Sequence, residues 1–118
     1  MPLRLPHAEK ALRQRAKALA DDLKLEARHV GLAAETAPTA RGQAVLSVMA
    51  KCLGHASRNV AYAADFDPGY NEPFRQDAMA LHEGVGCIVR EALYADVDTL
   101  RDLVDQLDRL SEDWPDSE

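Results

Sequence analysis

The chain has 118 residues, of which 47% are apolar, 29% charged and 5% aromatic, with a formal net charge of −6. That length holds one domain, and the apolar share is too high for a disordered chain. The acidic balance weighs against direct nucleic-acid binding, because phosphate contacts need Lys and Arg. No apolar run reaches the ~18 residues that would cross a membrane. No apolar leader core is read near the N-terminus, and the two cysteines, Cys52 and Cys87, are too few for a disulfide scaffold. The expectation is a cytoplasmic protein with reduced thiols. A core rich in Ala and Leu and poor in aromatics suits close-packed helices better than a β-sandwich.

The first predicted helix spans about residues 7–34. Leu12, Ala16, Leu19, Leu23, Ala27 and Val30 recur at spacings of three and four and share one face. Pro6 suits a helix start, Gly31 is expected to weaken the last turn, and Pro38 separates the next segment. The second helix spans about 39–66, with an apolar stripe of Val45, Val48, Met49, Cys52, Leu53, Ala56, Val60 and Ala63. The turn Asp67-Pro68-Gly69-Tyr70-Asn71-Glu72-Pro73 ends it. The third spans about 74–95, carrying Phe74, Ala78, Leu81, Val85, Ile88, Val89 and Ala92 on one side. The fourth spans about 97–113, capped by Asp96 or Asp98, with Val97, Leu100, Leu103, Val104, Leu107 and Leu110 as its stripe; residues 114–118 are expected to fray.

Short connections make successive helices antiparallel neighbours. The expected fold is an all-α, up-down-up-down four-helix bundle forming a single domain over 1–118. The alternative is a smaller hairpin that completes its core by dimerising. Charge is uneven along the chain. Residues 1–30 carry seven Lys/Arg against four Asp/Glu, for a net +3, and residues 91–118 carry two against ten, for −8. In such a bundle the first helix lies beside the fourth, so the basic segment is expected to meet the acidic one.

Four clusters offer chemistry. Cys52 lies 17 residues before Gly69 and Cys87 lies 18 after it, so an antiparallel hairpin brings them to one level, where Gly54, Gly84 and Gly86 also fall. Those three glycines, each costing about 1 kcal/mol against alanine in a helix, predict either a close helix approach there or the approach of some other group. Cys52 and His55 (i, i+3) and Glu83 and Cys87 (i, i+4) carry suitable ligand types for a zinc ion or a thiol sensor, although no zinc spacing is matched. The alternative for the cysteines is ordinary small core residues. The paired Glu-x-x-His helices of di-iron carboxylate bundles are set aside. The turn Asp65–Glu72 fails the calcium-loop pattern, having Gly69 and Gln76 where oxygen ligands belong.

Arg75 and His82 stand two turns apart on one helix face. This Arg-x6-His spacing resembles the ribonuclease motif of HEPN-type helical bundles, in which an Arg and a His attack RNA through its 2′-hydroxyl. The resemblance implies an RNA-cleaving pair at Arg75 and His82, but Gln76 departs from the polar Asn, Asp or His that usually follows the Arg.

The fourth cluster lies on the last helix, where Asp98, Asp102, Asp105, Asp108 and Glu112 recur at spacings of three and four and form an acidic ridge. Its plain reading is a solubilising face paired with the first helix; its functional reading is a surface for a basic protein partner, with electrostatic steering of the encounter. No phosphate loop, nucleophile elbow or dinucleotide fingerprint is present. The expectation is a non-enzymatic interaction or regulatory protein of inhibitor, immunity, antitoxin or adaptor type. It needs no cofactor, presents the ridge to a basic protein, and self-associates as a homo-oligomer.

Overall fold

The computed structural model describes residues 6–66 and 69–115. Four helices follow in order: α1 (Pro6–Thr36), α2 (Ala40–Phe66), α3 (Asn71–Glu91) and α4 (Val97–Asp113). Cross-helix contacts fix the directions. Arg13 donates to the Ala64 carbonyl at 3.0 Å and Ser57 to the Ala20 carbonyl at 2.6 Å, so α1 and α2 are antiparallel. Arg41 reaches Glu91 and Asn59 reaches Asp77, so α2 and α3 are antiparallel too. Asn71 donates to the Ser111 carbonyl at 2.9 Å, which turns α4 back along α3. Each helix packs on its two flanking neighbours and the diagonal pairs stay apart, which makes an up-down-up-down four-helix bundle. The result is a rod of 52 × 19 × 19 Å, its long axis set by the 31-residue α1.

Local chemistry explains the boundaries. The Thr39 hydroxyl accepts from the Gly42 amide at 3.0 Å and caps α2. Asp96, rather than Asp98, caps α4 by accepting from the Thr99 amide and hydroxyl. α1 continues past Gly31 to Thr36, its last turns held by Val30 and Ala34 in the core. α3 starts at Asn71, three residues before the expected Phe74. Pro73 is tolerated in the first turn, where a backbone N–H has no intrahelical partner to lose. α3 also ends at Glu91 rather than Ala95. Ala92 adopts left-handed geometry (φ 52°), and Leu93 donates to the Ile88 carbonyl while packing on the core.

The expected stripes mostly form the core, with exceptions. Val48 is 60% exposed and Val89 42%, and Ala92 is exposed; Leu46, outside the expected stripe, is buried instead. Trp114, expected to fray, is buried. It closes one end of the rod in an aromatic chain with Phe74 (5.5 Å between ring centres), Tyr70 and Tyr62. Asn71 also donates to the Trp114 carbonyl, and Gly69, at φ 91°, donates its amide to the Pro115 carbonyl at 2.8 Å. Residues 116–118 lie outside the described residues. No helix is long and apolar enough to cross a membrane among those described.

Candidate functional site

The five ridge acids occupy the outer side of α4. The helix buries Leu100, Leu103, Val104, Leu107 and Leu110, so its opposite side faces outward, and Asp98, Asp102, Asp105, Asp108 and Glu112 are all exposed. The structure therefore brings together the full predicted set. Among the described residues none of the five joins an ion pair; Asp102 accepts a hydrogen bond from Gln106 at 2.7 Å. Arg101 and Arg109, the two cations of this acidic segment, are exposed on the same helix and fall at helical spacing among the acids. Five acids and two arginines leave this face at −3.

The expected pairing of α1 with α4 is largely absent. Among the described residues one bridge joins them, Arg15 to Asp113 at 2.7 Å. The other engaged cations of α1 turn elsewhere: Arg13 to Glu9 and the end of α2, Lys17 to Asp65 at 3.5 Å. The reason is geometric. The ridge lies on the side of α4 opposite its buried leucines, away from the core that α1 shares. The ridge is left without countercharge from the first helix.

The cysteine level separates into two places. Cys52 and His55 line a shallow groove between α2 and α3 with Val48, Lys51, Asp77 and Ala80, enclosing about 300 Å³. There the His55 Nε2 lies 3.7 Å from Asp77 and 3.3 Å from the Asn59 amide nitrogen, which donates to Asp77 at 2.8 Å. Cys87 instead donates its thiol proton to Glu91 Oε2 at 3.2 Å, and Arg41 grips the same carboxylate with two nitrogens at 2.7 Å each. The hydrogen bonds from Arg41 and then from Cys87 hold the Glu91 carboxyl down to about 2, and Glu91 raises the Arg41 guanidinium in turn. Glu83 is exposed and joins neither place. Among the described residues no three His, Cys, Asp or Glu side chains are placed to hold a metal ion. Both cysteines are half-buried and free.

Of the glycines at this level only Gly84 marks a close approach, since a Cβ there would stand 2.6 Å from the Met49 sulfur; Gly54 and Gly86 face only arginine tips at 3.6 Å. Arg75 and His82 share the exposed side of α3, where Arg75 is tied to Glu72 at 2.7 Å. In the Asp65–Glu72 turn, Asp67 lies outside the described residues.

One charged group was missed. Glu26 is 3% exposed, with its carboxylate between the Tyr94 hydroxyl (3.1 Å) and the His29 Nδ1 (3.3 Å). Burial, and then the charge of Glu26, push the Tyr94 phenol up to about 12. The signal was in the sequence, because Glu26 continues the spacing Leu19, Leu23, Glu26, Val30 on the buried face. Glu26 and His29 form a single Glu-x-x-His spacing, with half the His29 ring in solvent and no second such pair on another helix. No protein family, curated protein or solved structure matches the chain.

Proposed function

We propose that the protein is a non-catalytic interaction or regulatory protein that presents the outer side of α4 to a basic surface of a protein partner. The observation that carries the reading is the net-negative ridge: five exposed acids against two arginines on one helix face, none of the acids in an ion pair among the described residues. Like charges at i, i+3 and i+4 destabilise a helix by a few tenths of a kcal/mol each. A face that keeps them is costly to the isolated bundle and favourable against a cationic partner. Such a field raises association rates and loses strength as salt screens it over ~10 Å at 0.1 M. Inhibitor, immunity, antitoxin and adaptor roles all use this mode. A cytoplasmic setting suits its free thiols.

The test is native mass spectrometry of the untagged protein from its own cells, compared with the triple variant Asp102→Lys, Asp105→Lys, Asp108→Lys. A heterocomplex with a basic protein that weakens with salt and vanishes in the variant supports the reading. A partner held equally by the variant, or no heterocomplex with the wild type, refutes it.

A further inference from the structure

The outer side of α1, away from both α2 and α4, carries a second pattern. Ala11, Ala18, Leu25 and Leu32 follow one another at intervals of seven residues and are all exposed, Leu25 by 52% and Leu32 by 60%. Seven residues are nearly two turns, so the four positions form one strip along the rod. This apolar strip occupies one heptad position, half of a coiled-coil seam, on a helix already buried on its other side, with charged residues at the second position.

We propose that this strip is a self-association surface, on which two copies pack α1 against α1 in antiparallel orientation about a two-fold axis at Leu25. In that register each residue n places before Leu25 faces the residue n places after it in the other copy. Leu25 meets Leu25 at the axis, and Leu32 of each copy packs over Ala18 of the other, a large residue on a small one. The charges select the same arrangement. Asp21 and Arg28 flank Leu25 on one edge of the strip, both exposed, and neither has an ion pair among the described residues. Antiparallel packing brings Asp21 of each copy onto the same edge as Arg28 of the other, one residue's rise (about 1.5 Å) out of level, whereas parallel packing sets like against like. The five chargeable side chains nearest Leu25 on the exposed side (Asp21, Asp22, Lys24, Arg28 and His29) sum to zero with His29 neutral, so two copies meet here without the repulsion that the acidic face of α4 would impose. One helix strip is smaller than the ~800 Å² per partner of a standard interface, so the dimer is weak and concentration-dependent.

The experiment is sedimentation velocity from micromolar to millimolar protein. The wild type is expected to pass from monomer to dimer, and Leu25→Glu with Leu32→Glu to remain monomeric with unchanged far-UV circular dichroism. Asp21→Arg and Arg28→Asp are each expected to weaken the dimer about tenfold, and the double swap to restore it. Val48→Glu, on the exposed face of α2, is expected to leave association unchanged. A wild type that stays monomeric at millimolar concentration, a dimer that survives the two leucine substitutions, a dimer broken by Val48→Glu, or a double swap that fails to restore association each overturns the proposal. The triple charge reversal on α4 leaves this surface intact, so the two readings fail separately.

Discussion

Three glycines at one level of the bundle make opposite predictions when replaced by alanine. In a helix interior the exchange gains about 1 kcal/mol. At Gly54 and Gly86 the new methyl group meets only the mobile tips of Arg58 and Arg90 at 3.6 Å, so the gain is kept. At Gly84 it would stand 2.6 Å from the sulfur of Met49, a residue only 2% exposed. That sulfur lies inside the side chain rather than at its end, and moving it disturbs a packed core at a cost of about 1–3 kcal/mol. Gly84→Ala should therefore be destabilising by about 1 kcal/mol, and Gly54→Ala stabilising by about the same amount, a gap of roughly 2 kcal/mol. Urea unfolding followed by circular dichroism measures both, provided the m-values agree. If Gly84→Ala is as stabilising as Gly54→Ala, α2 and α3 do not approach closely at Met49 and the packing described here is wrong.

Four further predictions follow the same logic. Ala92→Gly should stabilise by about 1 kcal/mol, since Ala92 holds left-handed geometry that glycine adopts freely; a thermal melt that falls instead would refute this. Tyr94→Phe leaves buried Glu26 short of a hydrogen bond and should cost ~1–3 kcal/mol in urea unfolding. The Tyr94 phenol is pushed up from 10 to about 12, so its stabilising contribution is full below pH 10 and fades as pH rises toward 12; absorbance at alkaline pH should show one tyrosine titrating late, and its loss in Tyr94→Phe. Glu91, held down from 4.5 to about 2, contributes stability that is present above pH 4.5 and lost as pH falls toward 2, a dependence that Arg41→Gln should flatten in an acid titration. Asp105→Asn should leave stability unchanged or raise it by a few tenths of a kcal/mol; a clear loss would mean that the ridge is internally paired.

What could be read from the sequence was what periodicity carries. The helix stripes, the turn positions and the outward acids of α4 all follow from spacings of three and four, and α4 is bounded at Val97 and Asp113 as its residues suggest. Position around a helix axis was legible only to within a residue or two, which is why Val48 was placed in the core and Leu46 was not. The ends of α3 were hidden because its first turn absorbs Pro73 and its last residue hands over to an alanine in a glycine-like conformation. Which side of α4 faces α1 depends on the rotation of whole helices, and no local pattern encodes that. The two arginines within the ridge follow from the same spacings, although the segment's summed charge of −8 hides where on the face they fall.

The closed end of the rod bears on how the ridge would bind. Asn71 holds the carbonyls of Ser111 and Trp114, and Trp114 sits edge-on against Phe74, so the last turn of α4 is fastened to the first turn of α3. Before its other end, Tyr94 ties the chain to α1 by donating to Glu26, and Asp96 caps the first turn. A helix anchored at both ends has little freedom left to lose when a partner arrives. If a partner does dock on the ridge, the backbone that carries the carboxylates has already spent its ordering entropy in folding, which would favour slow dissociation.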